Sequence, residues 1–394
     1  MKKYNLSISL VVFLVLFLGA GIIQILDLKS SKEQLTLFNL INPSIKLMVV
    51  VFFFWTIKRK IKFYFEETAM LISIFAYAII CFFAERSANL SILINVFFSL
   101  AILSLLLKNG NSLKKSIFWV VLLYYFSDSS LAIIERILQT NFIGPSQDSL
   151  FLDDSLSSVN AGFRSASIHS HPLQGALMIS IVMSFIYITD YKPQNKIALL
   201  FVGFVALFSF NTRSSIVFWA IMILLYIIKL IIYAKPKYKF LGGIAVAFVA
   251  LIAFYLLNHG WAGRLIELSL FDENSAQVRI DVLSVINDFK LEDFLLGVSK
   301  ENGEAIFKRN DIFIMENYWI SYVMNWGIPF TCWLVYCSYK ILKSSMVDYP
   351  RLKKFFPIAT FLLISSTNNS MMTGVPALLL MISCFYGFKP SNRT

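Results

Sequence analysis

The sequence predicts an all-α polytopic membrane protein, and three observations carry that prediction. Hydrophobic residues make up 58% of the chain and charged residues 15%, with a mean hydropathy of +0.71, which is too apolar for soluble domains. Apolar runs suited to helices recur twelve times, at 7–26, 37–57, 68–84, 90–107, 116–134, 173–189, 196–210, 215–233, 240–257, 313–339, 355–368 and 375–388. The basic residues are sorted between alternate connections, as the positive-inside rule requires of a chain that crosses a bilayer repeatedly.

Met1-Lys2-Lys3 precedes a first run long enough to span and followed by many more, so an uncleaved first helix is expected rather than a leader. With the N-terminus cytoplasmic, the inside segments collect Lys2, Lys3, the 58–62 cluster, Lys108, Lys114, Lys115, Lys192, Lys196, Lys229, Lys235, Lys237, Lys239, Lys340, Lys343, Arg351, Lys353, Lys354, Lys389 and Arg393. Of the 23 acids only Glu66, Glu67, Asp190 and Asp348 join them. Both termini are then expected in the cytoplasm, with the two long polar loops, 135–172 and 258–312, outside. The net charge of +12 orients the chain in membrane lipid and predicts no nucleic-acid partner. All four cysteines fall within apolar runs, where they read as packing residues and not as a disulfide framework.

The first long loop carries the turn Gly144-Pro145-Ser146, a Ser/Asp-rich piece through Ser158, then Phe163-Arg164 and Ile168-His169-Ser170-His171-Pro172. Pro172 suits the first turn of a helix. In the second loop, Asp272-Glu273-Asn274-Ser275 offers a cap, and Val278, Val282, Ile286 and Phe289 recur at helical spacing. That spacing predicts an amphipathic helix with Arg279 near the edge of its apolar stripe, followed by a short helix that Gly297 ends.

Arginine is the first chemical clue. Lysine dominates inside, whereas seven arginines face outward: Arg86, Arg136, Arg164, Arg213, Arg264, Arg279 and Arg309. A guanidinium fork binds phosphate or carboxylate at two points while an ammonium is a point charge, so the outer side reads as built to hold oxyanions. Salt bridges to the outer acids are the plainer alternative. Arg213 is the most informative, because a minimal turn, Asn211-Thr212-Arg213-Ser214-Ser215, keeps a positive charge where the orientation rule disfavours one.

His169 and His171 lie two apart with no third or fourth ligand in register, which predicts no metal site and leaves acid–base work or a hydrogen bond at a helix start. Glu316 stands at the mouth of the 313–339 run beside Asn317, among apolar residues that would raise its pKa unless an arginine lowered it. It is the candidate base, or an arginine's partner. Asp128, within the fifth run, is a weaker candidate of the same kind.

Taken together, these residues resemble the bacterial O-antigen and capsule polysaccharide polymerases (Wzy-type) and the related O-antigen ligases. Topology is similar over the whole chain, and motifs over 164–175, 211–215 and 279–327. Arg164 and Gly175 match an arginine-to-glycine spacing of a periplasmic loop, His171-Pro172 is similar to a His-Pro pair at the same helix start, Thr212-Arg213-Ser214 looks like a Ser-Arg turn, and Arg279 stands at the arginine of the second loop. The chain departs from the ligases in having Glu316-Asn317 where they have His-Asn, and in the seventeen residues between Arg279 and Gly297.

The resemblance implies a GT-C-like fold of about twelve spans in the bacterial inner membrane. It implies a glycosyltransferase that polymerises undecaprenyl-diphosphate-linked oligosaccharide repeat units at the periplasmic face, inverting, metal-independent and without a cofactor. Arg164, Arg213, Arg279, Arg264 and Asn317 would bind the diphosphate and substrate, and Glu316, His171 or His169 would take the proton. Its partners would be the lipid-linked donor and acceptor and a polysaccharide chain-length regulator. The alternatives are an O-antigen ligase and a lipid-linked oligosaccharide flippase or transporter. Asp153-Asp154 resembles the acid pair with which many glycosyltransferases hold a metal and a sugar diphosphate, but the first outer loop, where lipid-phosphate users carry such acids, offers only Asp27 and Glu33.

Overall fold

A computed structural model describes residues 2–19, 22–23, 41–58, 61–84, 90–110, 113–143, 162–169, 171–233, 235–261, 263, 283–309, 317–366 and 376–389. Among them there are helices and no strands. In chain order they are α1 (Lys2–Phe17), α2 (Pro43–Ile57), α3 (Phe65–Phe83), α4 (Leu90–Asn109), α5 (Lys114–Leu138), α6 (Pro172–Ile188), α7 (Pro193–Phe210), α8 (Arg213–Tyr233), α9 (Pro236–Asn258), α10 (Leu291–Leu296), α11 (Lys300–Arg309), α12 (Tyr318–Ser345), α13 (Arg351–Ser366) and α14 (Ala377–Gly387). Each of the twelve apolar runs overlaps one of these helices; α10 and α11 belong to the second polar loop. Six of the described helices are long and apolar enough to cross a membrane.

Prolines in the first turn open α2, α6, α7 and α9, where their missing N–H costs nothing. α6 and α14 are apolar on every side and buried almost throughout, which makes them the axis of the bundle. α5 and α7 pack on α6, and α4 and α5 on α14. The outer helices do the reverse: Phe75 and Phe82 of α3 are 70% and 80% exposed, and Leu251 and Phe254 of α9 are 66% and 68% exposed. So much exposed apolar surface is stable against lipid and not against water.

One buried carboxylate in the bundle has a cation as partner. Glu67 of α3 is wholly buried and accepts from Ser104 Oγ and Lys108 Nζ of α4, both at 2.5 Å. A π-helical turn at Leu93–Phe98 in α4 carries Asn95, whose Oδ1 accepts the Asn42 N–H at 3.0 Å just before α2.

The described part of the second loop differs from expectation in register. Residues 264–282, with Arg264, Arg279 and the 272–275 cap, lie outside the described residues. Further along, Val285–Asp288 forms a 3₁₀ turn, with Val285 and Phe289 buried and Ile286 37% exposed. The inward face at this end is therefore Val285 and Phe289, because the tighter turn rotates Ile286 out of the expected stripe. These two join Val298, Ile306, Ile320 and Met324 in a small second core. Gly297 ends α10, as expected, at φ 83.

α12 is broken at Gly327 (φ 72), two residues before Pro329, and α10 crosses it there. The Val298 N–H donates to Met324 O at 2.7 Å and Tyr77 Oη to Leu296 O at 3.0 Å. A Cβ on Gly297 would lie 2.6 Å from Asn325 O, and the left-handed backbone adds strain of its own. Gly297→Ala is expected to lower stability by about 2–4 kcal/mol, measured by unfolding in detergent; a loss below about 1 kcal/mol would mean the crossing tolerates a methyl group.

Candidate functional site

α5 ends, α6 begins, α7 ends and α8 begins at one end of the bundle, and the segment 162–169 is strapped across them. Its anchor is a stripe on α5, Tyr124, Asp128 and Glu135, all wholly buried on one helix face. Glu135 accepts from Ser165 Oγ at 2.5 Å, from the N–H groups of Ala166 at 3.1 Å and Ser167 at 2.8 Å, and from Phe142 N–H at 3.0 Å. Asp128 accepts from Ser167 Oγ at 2.5 Å and, more weakly, from Ile168 N–H at 3.4 Å. These bonds hold Ser167 in the left-handed region at φ 48, a conformation a serine does not take unsupported. Asn141 Oδ1 shares the Ala166 N–H at 3.0 Å.

Arg136, one of the arginines assigned to the outer side, is wholly buried. Its Nη1 donates to Phe163 O, its Nη2 to Gly260 O at 2.6 Å, and its guanidinium lies between the Phe163 and Trp261 rings. Arg136 lies in the last turn of α5, and the rotation of the helix turns it into the protein. Arg309 makes an exposed ion pair with Asp288 at 3.1 Å, which is the plainer role weighed for these arginines.

Arg164 is the only residue of 162–169 that is not buried. Beside it, the Ser165 N–H donates to Ser209 O at 3.1 Å, and Arg164 Nε reaches Phe210 O at 3.4 Å. α7 stops at Asn211, which is left-handed at φ 51, and Arg213 is the first residue of α8. The two arginine-bearing segments thus meet, and Gly175 explains how. A Cβ there would lie 2.5 Å from Cζ of Phe210, so only glycine lets that ring lie on α6 and bring the turn up to the strap. Next to Arg213, the buried hydroxyls of Thr212 and Ser215 have no hydrogen-bond partner among the described residues. With the first turn of α8 and two guanidinium groups, this corner is electropositive and rich in donors, which suits an oxyanion.

The two histidines part company. His169 is buried, its Nε2 2.6 Å from Tyr124 Oη, which itself donates to Asp128 Oδ2 at 3.1 Å. Burial holds its pKa below the usual value, against the opposing pull of Asp128. In this position its ring ties the strap to α5. His171 is half-buried and caps α6, its Nδ1 accepting the Leu173 N–H at 3.3 Å. A neutral ring whose Nδ1 accepts carries its proton on Nε2, so in this tautomer the Nε2 of His171 is a donor.

Burial, and secondly the charge of Arg164, push the His171 pKa down from 6.5 to about 4. The native state then binds fewer protons than the unfolded chain between these values. The contribution to stability is complete above about pH 6.5 and is lost as pH falls toward about 4. His171→Asn keeps an acceptor for the cap and should flatten this acid limb in a plot of Tm against pH; an unchanged slope would assign the limb to another group.

Asn317 caps α12, its Oδ1 accepting from Trp319 N–H at 3.0 Å and Ile320 N–H at 3.3 Å, which leaves its amide NH₂ for any ligand. Glu316, Asp153 and Asp154 lie outside the described residues, with Arg264 and Arg279. Among the described residues no three His, Cys, Asp or Glu side chains converge as a metal-binding set.

The strap's anchors were not foreseen as such. Their signal was present: Tyr124, Asp128 and Glu135 fall at i, i+4 and i+11 of one apolar helix, and acids inside such a helix must be satisfied by something. Thr212 and Ser215 gave no comparable sign. No protein-family model matches the chain, and no curated protein matches it.

Proposed function

We propose that this chain is an integral-membrane glycosyltransferase that joins oligosaccharide repeat units carried on a polyprenyl diphosphate, as the polysaccharide polymerases do. One observation carries the reading: the Arg164 strap is hydrogen-bonded to the end of α7, directly before the turn that carries Arg213. Two arginines on adjoining segments at a helix start, beside buried hydroxyls with no hydrogen-bond partner among the described residues, suit a diphosphate.

In the proposed reaction a hydroxyl oxygen of the acceptor's sugar attacks the anomeric carbon of the donor chain. The new glycosidic bond forms as the anomeric carbon–oxygen bond to the diphosphate breaks, with inversion. The leaving diphosphate takes the electron pair, and Arg164 and Arg213 stabilise its growing charge, which is where fixed positive groups lower a barrier most. The hydroxyl proton passes to a base, for which Glu316 remains the candidate, while His171 donates a hydrogen bond. Arg279, Arg264 and Asn317 would complete the binding set. The full proposal has twelve spans in a GT-C-like arrangement, cytoplasmic termini, the site at the periplasmic face of a bacterial inner membrane, and a chain-length regulator as partner.

The test is elongation of a defined lipid-linked repeat unit by the purified protein. Polymer ladders are expected from the wild type and only single units from Arg164→Ala or Arg213→Ala. Unimpaired ladders from both variants would remove the arginine site; transfer of finished polymer to a lipid A core acceptor, without elongation, would favour the ligase.

A further inference from the structure

A second cluster of cations lies at the opposite end of α7, some fourteen residues or about 21 Å from Phe210 at 1.5 Å per residue. Lys196, in the first turn of α7, is only 7% exposed. Its Nζ donates to Tyr187 O at 2.9 Å and lies 5.2 Å from the centre of the Tyr226 ring. Lys229 of α8 and Lys353 of α13 are near enough to repel it, and the acid facing the group is Asp190. Asp190 bridges Lys353 at 2.7 Å and is itself 82% exposed. Lys196 thus has two ammonium neighbours, one of them paired with Asp190, and the start of α7, with no side-chain cap at Lys192, adds its own positive end.

The surroundings say what kind of anion fits. Tyr187 stacks on Phe356 at 4.7 Å and meets Tyr226 at 5.9 Å, an aromatic wall of the kind found at membrane interfaces. The shielded hydroxyl of Tyr191 has no hydrogen-bond partner among the described residues. Leading away from Lys229, the residues Leu224, Leu225, Ile228 and Ile232 of α8 are exposed and apolar. A free phosphate would use the lysines and nothing else here; a phospholipid would also lay its acyl chains along α8.

We propose that Lys196, Lys229 and Lys353 form a binding site for the phosphate of an anionic membrane phospholipid, with its acyl chains on the outer face of α8. The site is independent of the glycosyltransferase reading. Basic pockets between helix ends recognise acidic headgroups in this way, and each lysine removed is expected to weaken binding about fivefold.

The experiment is native mass spectrometry of the full chain with phosphatidylglycerol or phosphatidylcholine of matched acyl chains. Lys229→Gln/Lys353→Gln, which alters side chains at the surface, should retain phosphatidylglycerol roughly 25-fold less well than the wild type, two fivefold steps. Phosphatidylcholine binding should be weak and unchanged. A control, Lys340→Gln/Lys343→Gln, removes the same charge elsewhere and should retain the lipid. Undiminished phosphatidylglycerol binding in the first variant, an equal loss in the control, or equal retention of phosphatidylcholine would overturn the site. So would a rise in Tm with inorganic phosphate alone as large as that with phosphatidylglycerol, which would identify a free-phosphate site.

Discussion

Arg164→Ala is expected to fold with an unchanged Tm and to lose elongation by about 10²–10³-fold, the effect of removing one donor aimed at developing charge. The two halves of that expectation have separate grounds. Stability should hold because Arg164 is the least buried residue of its strap, and its bond to Phe210 O is long at 3.4 Å. Activity should fall because the strap's other bonds fix that guanidinium beside the turn of Arg213, where a leaving diphosphate would need it. Arg164→Lys restores the charge without the two-point fork and should recover only part of the rate. Turnover of a lipid-linked repeat unit, read with Tm on the same preparations, checks both halves. A wild-type rate in Arg164→Ala would remove the residue from the mechanism, and a large fall in Tm would make it structural.

Glu135→Ala should have the largest effect on stability, about 3–5 kcal/mol, because it strands buried donors that this carboxylate satisfies. One side chain accepts from Phe142, Ser165, Ala166 and Ser167, and the last three are wholly buried, with no water to turn to. Glu135→Gln keeps the volume and one acceptor oxygen, so it should lie between, at about 2 kcal/mol. Activity should fall in parallel, since the strap that presents Arg164 would no longer be held. Unfolding in detergent gives the first number. A loss under about 1 kcal/mol for Glu135→Ala would mean that Asp128 and Asn141 hold the strap without it.

The architecture was legible where one physical constraint dominates. Lipid demands long apolar runs, and each of the twelve such runs in the sequence overlaps a helix, six of the described helices being long and apolar enough to cross a membrane. The spacing from Arg164 to Gly175 was legible as a pattern, but its cause, the Phe210 ring lying on Gly175, joins residues thirty-five apart and has no local trace. Rotation about a helix axis was the commonest blind spot. Arg136 reads as an outer arginine by depth and points inward by azimuth, and Ile286 reads as part of a stripe until a 3₁₀ turn hands its place to Val285. His169 and His171 look equivalent in sequence, but a 3₁₀ turn followed by extended backbone sends one ring into the core and leaves the other at the start of α6.

The break in α12 has a consequence for how the second loop can move. Opening a helix at Gly327 releases carbonyls inside an apolar bundle, and they find other donors: from outside the helix Met324 O takes the Val298 N–H and Asn325 O takes Tyr77 Oη, and from beyond the break Tyr322 O takes Thr331 Oγ1. The connection after α10 therefore serves as a missing piece of helix backbone. Lifting it would uncover Met324 O and part Tyr77 from Leu296 O, at about 1–3 kcal/mol for each buried group left unsatisfied. Displacement of residues 295–298 and re-pairing of the α12 backbone are in that sense one event, cooperative and close to all-or-none, and not a graded flexing of a loop over a fixed helix.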